Sequence, residues 1–344
     1  MSGTGIVLMN LGGPDSDAAV EPYLRNLFSD RAIIRLPNPL RWLIARMIAR
    51  QRGPLARQIF SKIGSASPLL QNTQAQAAAL ARRLGNDYRI VIAMRYWAPR
   101  AAEAAVALKA MEVERIVLLP LYPQFSTTTT ASSIREWRDV AQRIGLAVPT
   151  RAVCCYPAET GFIAALASAI GRAIDEWPAE LGAPRLLLSA HGLPQRIVAS
   201  GDPYQSQVEQ TARAVRAALA RDIDAVVCYQ SRVGPLKWLM PAADAEIRRA
   251  GQERRGIIVA PIAFVSEHSE TLVELDIEYR HLAAASGVPR YVRIATVGAA
   301  ESFIAGLEML VREACAATDA LPYPEGGRPH CEDRFRLCAR RGVL

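Results

Sequence analysis

Short apolar runs alternate with longer helical patterns along almost the whole of this chain, and few folds accommodate that order. An apolar run of about four to eight residues with no polar alternation suits a strand covered on both faces, as in a parallel sheet flanked by helices. The runs are Ile6–Leu11, Arg89–Met94, Arg115–Leu121, Arg151–Cys155, Arg185–Ala190, Ala225–Tyr229, Gly256–Pro261 and Tyr291–Ala295. Helical patterns lie near 72–84, 100–111, 131–144, 159–176, 203–220, 241–250, 268–286 and 299–317. Val113–Pro120 and Asp224–Tyr229 hold similar places in the two halves, each after an Ala-rich helix and before a loop with Ser, Gln or Thr. The expectation is an α/β protein of two similar Rossmann-like lobes with parallel sheets. The boundaries read as 1–155 for the first lobe, 156–320 for the second and 321–344 for a tail. That tail is rich in Pro, Gly and Arg, so loose order is expected there. In such sheets ligands bind beyond the carboxyl ends of the strands. Asn10–Pro14, Tyr122–Ser126, Ala190–Pro194, Gln230–Pro235 and Pro261–His268 all fall at such ends, which predicts one cleft between the lobes.

Composition narrows the partners. The chain has 344 residues, 51% of them hydrophobic, enough for sizeable cores. No run of about 18 apolar residues is free of charge, so no membrane span is read. The first residues carry no basic region or cleavage site, so no signal peptide is read and a cytoplasmic location is expected. Against 33 acidic residues stand 41 basic ones, a formal charge of +8. Such a balance favours anionic partners. No finger spacing, ribonucleoprotein strand or basic low-complexity arm is present, which excludes the usual nucleic-acid modules. An anionic small molecule, a membrane surface, or both, remain. Of six cysteines, Cys154, Cys155 and Cys228 lie in or beside apolar runs and read as buried thiols. Cys315, Cys331 and Cys338 follow, the last two in the tail.

Histidine is scarce, with four in the chain, and two occur in Ser189–Pro194 and Ser266–Tyr279. The second stretch gathers Glu267, Glu270, Glu274 and Glu278 around His268. On a helix, Glu270, Glu274 and Glu278 share one face, where like charges at that spacing are destabilising. Such a stripe suits the handling of a cation or of protons, beside an imidazole base. A different pattern occupies residues 33–62. Leu40, Trp42, Leu43, Ile44, Met47 and Ile48 interleave with Arg41, Arg46, Arg50 and Arg52. This basic amphipathic pattern fits a membrane interface, an apolar ligand lip, or an ordinary helix packed on a core.

Seven segments together carry a resemblance. They are Leu8–Pro14, Ile63–Pro68, Met94–Pro99, Pro120–Ser126, Ser189–Pro194, Tyr229–Pro235 and Phe264–Tyr279. Each is weak alone; seven in order are specific. Over about residues 5 to 310 the chain resembles ferrochelatase, which inserts ferrous iron into protoporphyrin. The resemblance implies the chelatase fold with porphyrin between two lobes, lip 33–62 on the first lobe and the iron site on the second. It implies that His191 faces the macrocycle and binds iron or accepts a pyrrole proton, with Glu270 on the opposite wall as its partner in the iron site. An imidazole pKa near 6.5 suits the base, and imidazole with carboxylate suits ferrous iron. His268 would orient Glu270, and Glu274 and Glu278 would relay protons or deliver metal. Arg52 and Ser67 match positions that contact the propionates; Gln51 stands where the family often has a second basic residue, which weakens that clamp. Arg95, Tyr96, Trp238 and Leu11 would line the porphyrin pocket. Glu267 stands where the family often has Asp and is left out of the catalytic set.

The implied substrates are protoporphyrin IX and ferrous iron, with reversible peripheral contact at the inner face of a membrane through Leu40–Ile48. Some members hold a [2Fe–2S] cluster on four cysteines. Here Thr127 replaces an internal cysteine, and Cys331 with Cys338 form an incomplete tail set, so a cluster is not favoured. Two alternatives stay open at this point: a cobalt or nickel chelatase acting on sirohydrochlorin, and a carrier that binds metal or tetrapyrrole without turnover.

Overall fold

In the computed structural model, which describes residues 3–232, 234–317, 332 and 334–339, all eight apolar runs are strands. The chain divides into two units. The first holds residues up to Cys155 and the end of the last helix from Glu308; the second holds Tyr156–Leu307 and the described tail residues.

The first unit contains β1 (Thr4–Leu11), α1 (Val20–Phe28), α2 (Leu40–Ser61), α3 (Leu69–Leu84), β2 (Tyr88–Arg95), α4 (Ala101–Ala110), β3 (Arg115–Pro120), α5 (Thr130–Ile144) and β4 (Thr150–Ala152). Its strands are all parallel, in the order β2-β1-β3-β4. β1 is covered on both faces, which is why Ile6 to Met9 are all apolar and buried. Val7, Met9, Leu118 and Trp137 belong to one core that α4 and α5 close.

The second unit repeats the plan. It contains α6 (Thr160–Asp175), β5 (Arg185–His191), α7 (Gln195–Ala199), α8 (Tyr204–Leu219), β6 (Ala225–Gln230), α9 (Ala243–Gln252), β7 (Ile257–Pro261), a π-helix (Glu270–Glu278), α10 (Tyr279–Ala285), β8 (Tyr291–Arg293) and α11 (Glu301–Ala316), whose end belongs to the first unit. The order β6-β5-β7-β8 is again all parallel. Leu187, Cys228, Ile247, Val259 and Leu275 share its core. In each unit the chain winds in opposite directions from the first strand, so the strand order reverses between β1 and β3 and between β5 and β7. A doubly wound sheet presents its ligand crevice at that reversal.

Four expectations change. The helix expected over 268–286 is a π-helix followed by α10. Helix α1 was not anticipated, although Val20, Tyr23, Leu24 and Leu27 keep helical spacing; Pro22 lies in its first turn, where proline is tolerated. β4 ends at Ala152, so Cys154 and Cys155 lie beyond it, buried, with their Sγ atoms 3.2 Å apart. The tail is not loose where it is described: Phe335, Cys338 and Ala339 are buried, and the Leu337 N–H donates to Gly201 O at 3.1 Å. Cys331 lies outside the described residues. Among the described residues, no helix is long and apolar enough to cross a membrane.

Candidate active site

His191 ends β5, beside the point where the strand order reverses. The Tyr204 hydroxyl donates to His191 O at 3.0 Å, and the Gly192 N–H donates to Gln230 O at 2.9 Å. Glycine is required at 192. A Cβ there would stand 2.8 Å from Gln230 O and 3.4 Å from the Trp238 ring. Close approach of the Gln230 backbone to the His191 turn therefore explains the Gly in Ser189–Pro194. The Trp238 segment is held there by pairing with Pro194, and by N–H donation from Leu239 to Leu193 O at 2.9 Å. The buried Nε1 of Trp238 finds no acceptor among the described residues.

Opposite the end of β5, the π-helix brings in the carboxylates. Nδ1 of His191 lies 2.8 Å from Glu270 Oε2. With a carboxylate as partner, Nδ1 carries the proton and donates. The lone pair of the neutral ring is then on Nε2, and the side chain is 37% exposed, open to a ligand. His268 Nε2 lies 3.9 Å from the same Oε2, while His268 Nδ1 sits 3.1 Å from Ser266 O and the ring packs edge-on against Phe264. Glu274 is turned to the loop after β6. Its Oε1 accepts from Ser231 N at 2.8 Å and from the Tyr279 hydroxyl at 3.0 Å; its Oε2 accepts from Gln230 Nε2 at 3.2 Å and meets the Ser231 hydroxyl. Glu278 is exposed at the outer end of the π-helix.

The i→i+5 bonding of a π-helix turns less per residue than an α-helix, so residues four apart come nearly into line. Such helices are rare and concentrate at functional sites. The acid stripe persists because its inner members are matched by donors rather than by each other. Burial disfavours the Glu270 charge, but His191 and His268 beside it outweigh this and hold its carboxyl well below the ordinary range. Burial lowers the His191 imidazole, and the Glu270 carboxylate more than reverses that. Glu274 goes the other way: burial, then the Glu270 charge, push it up. Two carboxylates on one helix thus have opposite tendencies, one to stay charged and one to keep a proton.

In the first unit three of the seven segments meet. A Cβ on Gly12 would collide with Arg95 O, and one on Gly13 with the Ser67 side chain; the Ser67 N–H donates to Pro14 O at 2.7 Å. Leu11 is half-buried against the apolar cluster of Val20, Tyr23, Phe60 and Tyr96. Arg52 is exposed on α2, with its guanidinium over the Phe28 ring.

The family model for ferrochelatase matches residues 3–315. A ferrochelatase of Phenylobacterium zucineum is 49% identical over 92% of this chain and 93% of its own length. One of Rickettsia bellii is 45% identical over 97% and 94%. The chain belongs to the ferrochelatase family. It is an enzyme, and its reaction is the insertion of iron into a porphyrin for haem synthesis. Among solved structures, SirB of Bacillus subtilis with Fe3+ aligns with a TM-score of 0.54 at 12% identity, covering 91% of this chain and 96% of that one. A sirohydrochlorin chelatase SirB of Bacillus subtilis subspecies spizizenii, in complex with cobalt, aligns at 0.52 with the same identity and the same coverages. That likeness shows the chelatase fold and does not separate a ferrochelatase from a sirohydrochlorin chelatase. Family membership separates them, and it sets the carrier reading aside.

The ferrochelatase site corrects one expectation. Glu270 does not stand on a wall opposite His191; the two are hydrogen-bonded, because the π-helix starts against the carboxyl end of β5. Arg95 and Tyr96 have partners within the first unit. Arg95 Nη2 is 2.6 Å from Asp30 Oδ2, its other terminal nitrogen pairs with Glu136, and its guanidinium lies 4.4 Å from the Tyr96 ring centroid. Tyr96 is buried, with φ of +71°, and its hydroxyl donates to Asp30 at 2.8 Å. Glu267 is engaged structurally, by Arg293 and by the Thr296 N–H at 2.9 Å. Asp30, Tyr204, Ser231 and Tyr279 were not anticipated. Ser231 sits inside a recognised segment, yet nothing in its spacing signals its contacts.

A cluster takes four thiolates in most cases. Cys228 lies in the second core, where burial pushes its thiol up to about 12, Cys154 and Cys155 lie beyond β4, and Cys315 ends α11 beside Arg151. Among the described residues, no three His, Cys, Asp or Glu side chains form a group that could hold a metal ion.

Proposed function

We propose that this ferrochelatase uses His191 as the base that removes pyrrole protons, and His191 with Glu270 as the point where ferrous iron meets the ring. The hydrogen bond between them carries the reading. It fixes the proton on Nδ1, directs the Nε2 lone pair away from the protein, and pairs the imidazolium that forms with a carboxylate. Two ligands rather than a closed cage suit an ion that must be handed on. Glu274, adjoining Glu270 through Ser231, accepts protons leaving the ring, and Glu278 passes them to solvent. His268 orients Glu270. Trp238 forms an apolar wall beside His191, and its Nε1 is directed to substrate or water. Arg52, Ser67 and Leu11 serve the propionate edge and rim of the macrocycle.

The acid limb of kcat/KM for porphyrin then reports His191 in the free enzyme. Because Glu270 favours the protonated ring, which cannot accept a proton, that limb is expected above the ordinary imidazole value of 6.5. In Glu270→Gln the limb shifts to lower pH, whatever happens to the plateau. A limb that stays in place rules out Glu270 as the group that tunes the base.

Protoporphyrin IX is the proposed substrate, and the inner face of a membrane its source, on the evidence of α2. Ala45, Ala49, Gly53 and Phe60 of that helix are buried, while Leu43 and Met47 are 59% and 51% exposed among Arg41, Arg46 and Arg50. Large apolar side chains among arginines suit an anionic, apolar surface, and suit the two-carboxylate porphyrin over the four-carboxylate coproporphyrin. Leu43→Glu with Met47→Glu is expected to weaken co-sedimentation with anionic vesicles by at least about tenfold, since burying one such side chain is worth roughly 1.5–3 kcal/mol. The same protein should lose efficiency on protoporphyrin and keep it on coproporphyrin. Unchanged vesicle binding, or higher turnover of coproporphyrin by the unaltered enzyme, sinks the reading.

A further inference from the structure

Ser231 follows the last residue of β6 with φ of +61°, a conformation rare and strained for any residue but glycine. The turn it makes aims both its polar groups at the π-helix. Its N–H donates to Glu274 Oε1 at 2.8 Å; its hydroxyl meets Glu274 Oε2 and lies 3.2 Å from Glu270 Oε2. Ser231 N–H, Gln230 Nε2 and the Tyr279 hydroxyl hold Glu274 in place as three donors besides the Ser231 hydroxyl, whose one proton serves one carboxylate at a time. Glu270 has fewer. His191 Nδ1 holds its Oε2, and His268 Nε2 is at 3.9 Å. A serine hydroxyl keeps its own proton throughout.

We propose that Ser231 is a positioning residue for iron insertion, its hydroxyl donating to the Glu270 carboxylate from beside the fixed Glu274 and so keeping Glu270 oriented toward the metal. The inference rests on the assignment of Glu270 to iron made above. It also accounts for a serine where the backbone alone is better served by glycine.

The test compares Ser231→Gly, Ser231→Thr and Glu270→Gln in anaerobic turnover of ferrous iron and protoporphyrin, with thermal melting of each. Ser231→Gly relieves the backbone, so its melting temperature should equal or exceed that of the unaltered enzyme. Its KM for iron should rise by about tenfold, the scale of one hydrogen bond to a charged group, with the KM for porphyrin unchanged. Ser231→Thr retains the hydroxyl and should have an iron KM nearer the original despite lower stability. Normal iron kinetics in Ser231→Gly, or equal rises in both KM values, overturn the proposal. A Glu270→Gln enzyme with an unaltered iron KM overturns the assignment of Glu270 itself, whereas a defective Glu270→Gln beside a normal Ser231→Gly removes only the role of Ser231.

Discussion

Replacing His191 by Ala is expected to lower kcat for iron insertion by roughly 10²–10⁴, the range general acid–base catalysis contributes, while porphyrin still binds. The substitution removes the group with a lone pair on Nε2 and leaves the Gly192 turn and Trp238 in place. Folding should survive, because the side chain is partly exposed and the backbone at 191 is held by the Tyr204 hydroxyl, not by the ring. Glu270 loses the partner that keeps it charged, so the loss is not confined to the base. The His191→Ala, Glu270→Gln double variant should therefore be little worse than His191→Ala alone, as for groups that act as a unit. Porphyrin fluorescence under anaerobic conditions follows both binding and turnover. A His191→Ala enzyme within about threefold of the original kcat would end the assignment, since even weak general-base catalysis exceeds that.

What could be read from the chain follows from how each feature is encoded. Strands such as Ile6–Leu11 are legible because parallel strands buried on both faces admit only apolar residues, so composition alone marks them. The likeness of the two halves was legible for the same reason, and both sheets have the same strand order. His191 and Glu270 were found through segments in which the residue types themselves are informative. Their contact was not, because it depends on where the π-helix meets β5, and 79 residues separate the pair. The π register is hidden in principle: acids four apart suit an α and a π turn almost equally. Ser231 illustrates a further limit. A lone serine after a strand carries no periodic signal, and its value comes from a backbone angle that sequence pattern does not express.

Arg95 is a residue of a recognised segment whose contacts point to a structural job. The segment Met94–Pro99 suggested that Arg95 faces the substrate, yet its guanidinium is buried between Asp30 and Glu136, against Tyr96. Burial disfavours the Asp30 charge, but the Ser132 hydroxyl and then Arg95 more than compensate, so its carboxyl stays below the ordinary range. Arg95→Ala would leave Asp30 with hydroxyl and amide donors but no counter-charge, and Glu136 with Arg100 alone, a loss bounded by the about 3–5 kcal/mol of deleting one partner of a buried ion pair. The first unit should melt markedly earlier at neutral pH. A depressed carboxyl stabilises the fold above its unfolded pKa, and that contribution is lost as pH falls through the folded value. The deficit of Arg95→Ala should therefore shrink in acid, where Asp30 is protonated in both proteins. Neutralising the acids in the same chain, with Asp30→Asn and Glu136→Gln, should recover much of the loss, because contacting residues do not add independently. An Arg95→Ala protein that melts like the original but fails to bind porphyrin would restore the pocket role. One that unfolds early, and regains porphyrin binding when the acids are neutralised, places Arg95 in the scaffold that holds Leu11 and the Gly12-Gly13 turn against Ser67.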